Sequence, residues 1–597
     1  MNKIIRLSTS PDNSVINKWE LGILIILGIL VSLIYYYPIL NSGENLGIQD
    51  WDENFAWTES SRISILEYHQ FPLWSPYKCG GAVQFANPEI PVVSFQTLFA
   101  LLFGTMRGIK FSIFFHGLIG FLGFYLLARQ YKLSYLGSLL ASILFSFSGI
   151  TGSFLSTGMV VFTSFAYTPY ILFFFNKSLK NGKWGFLCGT LFALSFYSGY
   201  HIPLLLGVYI LIYALVMSIG KHSLSPFKAL FIMLSTSALI SLPKLILSIQ
   251  LIRALPRLMS DVSGYSIRNF FYFLLSQKQN LFNEMDIKGF YFAIDENSLY
   301  VGILSFFLFL LFFANNKRGI KQNICLLFSL LIMVWIMLGY STPLSLYSVM
   351  KHLPVFSSFR VAQRFRFDFI IPFSLLTGLG LDNLVRLLRT QKLALPVAIL
   401  CLLVIYVDLA SFSTTNFLSK TLIIKNPASQ LLKGTAFLQR ETTGPEIQVQ
   451  RTIPLPDKFL DSRIFTPWSN EYLVIQENKG ILKCYDCLTT TTNAKGVDDI
   501  EYQGEYHLLT PVQDVEVRNT YWSPNKLVFQ ITHAEKALKD TLIINQNYFP
   551  GWIVRTSADA CKRAIYYNGL LATKLDSGTD HVSFEFNPFL RWFRCRD

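Results

Sequence analysis

The chain of 597 residues is 52% hydrophobic and only 15% charged, with a mean hydropathy of +0.40, whereas a soluble domain carries about 25% charged residues. So few charges over this length exclude a disordered chain or an ordinary soluble protein and indicate a multi-pass membrane protein. The net charge of +14 sits in one part: residues 1–410 hold 30 Lys and Arg against 17 Asp and Glu, and residues 411–597 hold 21 against 20. That distribution argues against a nucleic-acid-binding domain.

Apolar stretches long enough to cross a bilayer, about 17–25 residues as helix, recur through residues 1–410. Eleven are expected, near 21–40, 109–128, 134–151, 160–176, 184–199, 202–219, 228–248, 298–314, 323–340, 367–385 and 393–410. The first is too long for a signal-peptide core and ends without a small-residue cleavage site, so it reads as a retained helix. With the N-terminus inside, the internal loops are 129–132, 177–183, 220–228, 315–322 and 386–392, and together they carry 13 basic and no acidic residues. Basic loops face the cytoplasm, so this pattern supports the count and the orientation, and an odd number of spans puts 411–597 outside. The outer segments are 41–108, 249–297 and 341–366.

The expected fold is thus an all-α polytopic domain, 1–410, with a long first outer loop, 41–108, followed by a β-rich extracytoplasmic domain, 411–597. In the latter, β-prone runs at Thr541–Asn545, Trp552–Thr556, Ala564–Tyr567 and His581–Phe586 are separated by turn residues such as Pro550-Gly551 and Asp576-Ser577-Gly578. Disulfides are permitted on that side. Cys484 and Cys487 are spaced for a local disulfide or half a zinc site; no second Cys pair or His pair at zinc spacing accompanies them.

Carboxylates are localised. No Asp or Glu lies between Glu89 and Asp261, and the acids of the membrane part beyond the N-terminal tail group in 41–108, in 261–296, and at Asp368, Asp382 and Asp408. The densest group is Gln49-Asp50-Trp51-Asp52-Glu53-Asn54. In an extended segment Asp50 and Asp52 share a face suited to a cation; in a helix they diverge. The flanking aromatics lower local solvation, which raises a carboxylate's pKa towards a useful range. The bland alternative is a solvated loop with interfacial Trp anchors.

A second constellation, Arg360, Gln363, Arg364, Arg366 and Asp368, lies at the outer mouth of the tenth span, against the positive-inside bias. Arginine forks bind phosphate oxygens bidentately; the alternatives are snorkelling and an Arg–Asp368 pair. Asp295 and Glu296 stand just before the eighth span, where acids also favour a helix N-terminus. His201, between spans five and six, reads as a packed interfacial histidine before a catalytic one. There is no Walker loop, HExxH or GxSxG.

Three stretches resemble a known family. They are Asp50-Trp51-Asp52 with Phe71–Tyr77, Cys79-Gly80-Gly81 and Ala86–Glu89; Leu353–Phe356 with Arg360, Arg364-Phe365 and Gly378–Asp382; and Asn545–Trp552 with Asn568-Gly569-Leu570. They resemble the GT-C class of membrane glycosyltransferases and, within it, the bacterial YfhO-like membrane proteins. The resemblance implies transfer of a sugar from a polyprenyl-phosphate carrier to a cell-surface acceptor, a glycan, a teichoic-acid-type polymer or a lipid. It places the chain in the bacterial plasma membrane and involves no nucleotide cofactor. It implies a single inverting displacement, with Asp50 or Asp52 as base and Arg360, Arg364 or Arg366 on the leaving phosphate. Glu53, Gln363, Glu296 and His201 are further candidate binding residues, and a divalent ion, Mg or Mn, on Asp50 and Asp52 is left open. The rival readings are a lipid-linked-sugar flippase, against which the acid-free interval speaks, and a non-catalytic polymer-assembly protein. The enzyme reading needs the acids and the arginines on one outward-facing cavity.

Overall fold

The computed structural model describes residues 18–255, 264–279, 294–314, 323–353, 356–357, 359–388, 393–426, 437–440, 470–482, 492–510, 515–533, 540–557 and 561–589. They form two compact units. The first comprises 1–43, 110–242 and 258–423; the second comprises 44–109, 243–257 and 424–597. The first outer loop therefore groups with the C-terminal strands, where a single boundary near residue 410 was expected. Long-range pairing accompanies this grouping: Leu46 and Ile424 exchange both backbone hydrogen bonds, at 2.7 and 3.1 Å, and Trp74 Nε1 donates to Gln546 at 3.1 Å.

Among the described residues seven helices are long and apolar enough to cross a membrane: Lys18–Leu40, Thr105–Gln130, Tyr135–Ser156, His201–Gly220, Ser225–Ala254, Ala362–Leu387 and Ala394–Lys420. The other four expected stretches are also helical but shorter. Val160–Tyr167 is a 3-10 helix continued by Thr168–Ser178, and Lys183–Ser198, Ile303–Leu311 and Ile324–Met337 are α-helices. Faces bearing Ile26, Ile34, Phe231, Leu239, Leu400 and Val407 are exposed, as helices that meet lipid rather than water require.

In the first unit the Arg366–Leu387 helix is buried along most of its length. It packs through small residues: a Cβ on Gly378 would lie 2.5 Å from the Gly137 carbonyl oxygen, and one on Gly380 would overlap that of Leu308. Such contacts are how helices approach closely where no hydrophobic drive from water exists.

In the second unit the segment after the first span folds into the Trp51–Leu66 helix, a short hairpin pairing Trp74–Ser75 with Ala82–Val83, and the Phe95–Phe103 helix. Among the described residues the C-terminal strands make a parallel pair, Leu438–Arg440 with Lys479–Ile481, and two antiparallel sheets. One has the spatial order Cys561–Arg563, Trp552–Thr556, His581–Phe586, Lys526–His533, Val515–Ser523; the other has Ile565–Tyr567, Leu570–Leu575, Asp540–Asn547, Tyr506–Leu508. Tyr506 and Phe529 join them, with ring centroids 4.9 Å apart. The four β-prone runs of the sequence are all strands. Cys79 and Cys561 each take part in a disulfide; Cys484 and Cys487 lie outside the described residues.

Candidate functional site

The acidic segment of the first outer loop is part of a folded core. Thirteen of the sixteen residues of Trp51–Leu66 are buried, which overturns the solvated-loop alternative. Asp50 is its N-cap, in helical conformation (φ −72°, ψ −3°), and its side chain makes no capping hydrogen bond. Asp52 is in the first turn and 2% exposed. Two positions along a helix are about 200° of rotation, so Asp50 and Asp52 point apart. The extended arrangement that would share a cation is absent.

Asp52 serves a different partner. Its Oδ2 accepts the Glu471 N–H at 3.0 Å and its Oδ1 the Tyr472 N–H at 3.2 Å. These are first-turn donors of the Glu471–Gln476 helix, which have no intrahelical acceptor of their own. Both Asp52 oxygens are thus engaged by backbone. Glu53 is buried too and pairs with Lys78 Nζ at 2.6 Å, which also lies 4.8 Å from the Trp57 ring centre. Among the described residues no group of three or more His, Cys, Asp or Glu side chains is placed to hold a metal. Asp50 remains the half-buried carboxylate at the helix start.

The arginine segment belongs to the first unit. Arg364 stands in the 3-10 turn Ala362–Phe365 and Arg366 opens the following helix, while Arg360 precedes the turn. Arg360 and Arg364 therefore do not share a helix face, as i, i+4 spacing had suggested. Arg364 Nε lies 3.2 and 3.1 Å from the two Glu296 oxygens, and its Nη2 bonds Oε1 as well. Arg366 donates to the carbonyls of Ser298 (2.9 Å) and Asp295 (2.7 Å), and Thr157 donates to Asp295 Oδ2 at 3.1 Å. The Arg–Asp368 pair does not form; Asp368 is buried and its Oδ2 has no hydrogen-bond partner.

Two of the three arginines thus clamp the 295–298 turn. Burial opposes the charge on Glu296, but the Arg364 guanidinium outweighs it, helped by Arg366 and Arg360, and holds the carboxyl below its ordinary range. His201, buried, begins the His201–Lys221 helix, its ring 5.0 Å from Phe162. Arg364 covers that same phenyl ring at 5.3 Å, so His201 packs into the cluster through an aromatic intermediary. Gln363 is fully buried in the same turn.

Sequence reasoning missed Lys78, Thr157 and the capping amides of Glu471 and Tyr472. Lys78 had one signal: it is one of three basic residues in 41–108, among seven acids. The Glu471 and Tyr472 amides have none, because backbone donors carry no side-chain signature, and the Thr157 hydroxyl reaches Asp295 across 138 positions.

No protein-family model and no curated protein matches this chain. Among solved structures it is similar to the arabinofuranosyltransferase AftD from mycobacteria, at 13% identity and TM-score 0.45, over 69% of this chain and 28% of that one. It is also similar to ArnT from Cupriavidus metallidurans bound to undecaprenyl phosphate (12%, TM-score 0.43, 70% and 82%). A third is the oligosaccharyltransferase from Archaeoglobus fulgidus in complex with zinc and sulfate (13%, TM-score 0.40, 66% and 53%). The chain spans 28% of the AftD structure and 53% of the oligosaccharyltransferase. No residue role passes from these structures to this chain.

Proposed function

We propose that this chain is a GT-C-type, YfhO-like membrane glycosyltransferase that moves a sugar from a polyprenyl-phosphate carrier to an extracytoplasmic cell-surface acceptor. One observation carries the reading: the acidic motif that starts ten residues beyond the first span is built into a buried helix end, with Asp52, Glu53 and Lys78 all internally engaged. A solvated loop needs none of this.

Within that frame Asp50 is the base and Asp52 a positioning residue. Asp50 takes the proton of the acceptor hydroxyl as its oxygen attacks the anomeric carbon. The bond from that carbon to the phosphate oxygen breaks on the opposite face, the configuration inverts, and the phosphate leaves with the electron pair. A positioned base contributes about 10²–10⁴-fold, and a cationic partner for the leaving oxygen adds electrostatic stabilisation. Arg360, the least buried of the three arginines, fits the phosphate role, with Arg364 and Arg366 holding the turn that sets the cluster's charge. The eleven spans, the cytoplasmic N-terminus and the outward second unit belong to the same proposal. The disulfides at Cys79 and Cys561 support the outward side, because disulfides persist in oxidising compartments.

The test is to incubate purified chain with a panel of polyprenyl-phosphate sugars and follow donor loss by mass. Transfer that vanishes in Asp50→Asn with an unchanged unfolding temperature supports the assignment. Wild-type transfer by Asp50→Asn and Asp52→Asn, singly and combined, removes it.

A further inference from the structure

The transfer chemistry leaves unused much of the three stretches that carry the sequence resemblance. Gly81, Asn87, Asn547-Tyr548-Phe549 and Gly569 come together in the second unit around a cavity of about 170 Å3. Trp74, Asn493 and Tyr566 complete its polar and aromatic wall, Leu251 and Leu255 add an apolar edge, and none of the described residues lining it is charged.

Each of the three amides is turned by backbone. Asn547 Nδ2 donates to the carbonyls of Cys79 (2.7 Å) and Gly81 (2.9 Å). Asn493 Nδ2 donates to the Asn568 carbonyl at 2.6 Å, and Asn87 Oδ1 accepts the Glu89 N–H at 3.0 Å. Gly569 has φ +87°, and a Cβ there would come within 2.9 Å of Asn493 Nδ2, so a glycine in the left-handed region is what admits that amide. These bonds commit one end of each amide. They leave Asn493 Oδ1 and Asn547 Oδ1 as acceptors and Asn87 Nδ2 as a donor.

The aromatic part is equally organised. Tyr566 is 67% exposed, yet its ring meets Tyr548 edge-on with centroids 5.8 Å apart. Trp74 is fixed by a hydrogen bond from Nε1 to Gln546 at 3.1 Å and by edge contact with Trp552 at 5.4 Å. Flat apolar faces beside fixed amides suit a ligand with C–H faces and a rim of hydroxyls that both donate and accept. With no charged residue among the described lining residues, a phosphate or carboxylate would be desolvated by them without compensation. Room for one water takes about 10–15 Å3, so the cavity holds on the order of a dozen water-sized groups, about the non-hydrogen atom count of one hexose.

We infer that this cavity binds a single neutral sugar residue, through the Tyr548–Tyr566 pair and the amides of Asn87, Asn493 and Asn547. That the sugar belongs to the acceptor rests on the transferase reading; the binding site itself does not.

The experiment titrates full-length chain in lipid nanodiscs, with no donor present, against methyl glycosides of glucose, galactose, N-acetylglucosamine and arabinose, read by saturation-transfer NMR and calorimetry. Glucuronate and inorganic phosphate serve as charged probes. At least one neutral glycoside should bind, and both charged probes should bind at least about tenfold more weakly. Tyr566→Ala removes an exposed ring, so the unfolding temperature should hold while affinity falls about tenfold. Ala82→Trp, which fills the cavity from its lining strand, should abolish binding. The inference is overturned if no neutral glycoside binds, if a charged probe binds as well as the neutral ones, or if both variants bind like the wild type. Because no donor is present, a chain that transfers nothing can still pass, and an active transferase can still fail.

Discussion

Replacing Glu296 by Gln isolates what holds the arginine cluster. The Arg364 and Glu296 side chains are only 8% and 3% exposed, and Nε lies 3.2 and 3.1 Å from the two carboxylate oxygens. Gln keeps the shape and removes the charge that faces the buried Arg364 guanidinium. Breaking such a pair from one side costs about 3–5 kcal/mol, whereas exchanging both partners for apolar residues of similar volume is often neutral. Glu296→Gln and Arg364→Met should therefore each lower the stability of the first unit by that amount, while Arg364→Met combined with Glu296→Leu should return to within about 1 kcal/mol of wild type. Thermal unfolding in detergent, followed by tryptophan fluorescence, reads all four proteins. The reasoning fails if the single variants stay within about 1 kcal/mol of wild type, or if the double variant is as unstable as the worse single one. Donor turnover by the double variant then separates two roles. If Arg364 only positions the 295–298 turn, a stable apolar pair retains turnover; loss of turnover at full stability would make Arg364 a phosphate contact. The sign with pH follows from the lowered Glu296 pKa. The pair contributes fully above the ordinary carboxylate range and is lost as pH falls through the depressed value.

Asp52→Ala removes the acceptor of two first-turn amides and should cost about 1–2 kcal/mol, with hydrogen exchange at Glu471 and Tyr472 speeding up; unchanged exchange would refute the capping role. Glu505, mostly buried, has its carboxyl pushed up to about 7 by desolvation, although the Gln439 N–H, the Tyr502 hydroxyl and the Asn545 amide donate to it. The folded chain therefore keeps a proton that the unfolded chain releases near pH 4.5, so stability of the second unit falls as pH rises from there through 7. Glu505→Gln should flatten that slope and stabilise by up to about 3 kcal/mol at pH 8; an identical slope in the variant's unfolding midpoints between pH 5 and 8 would discard the assignment.

Periodicity and charge placement determined much of this protein unaided. Each of the eleven expected apolar stretches contains a helix, seven of them long enough to cross a membrane, and the runs around Thr541, Trp552, Ala564 and His581 are strands, because hydrophobic length and alternation act locally along the chain. The same local information singled out Asp50–Glu53 and Arg360–Arg366 as chemistry-bearing segments. What those residues do depended on partners far away in sequence. Asp52 caps a helix 419 positions downstream, and Arg364 spans 68 positions to Glu296. Spacing could suggest that Asp50 and Asp52 share a cation, but only the helical turn they occupy decides that they diverge. The grouping of 44–109 with the C-terminal strands likewise rests on partners distant in sequence, among them the backbone exchange between Leu46 and Ile424 and the Trp74–Gln546 hydrogen bond. The sequence determines where charges lie along the chain, while the tertiary structure decides which charges face one another.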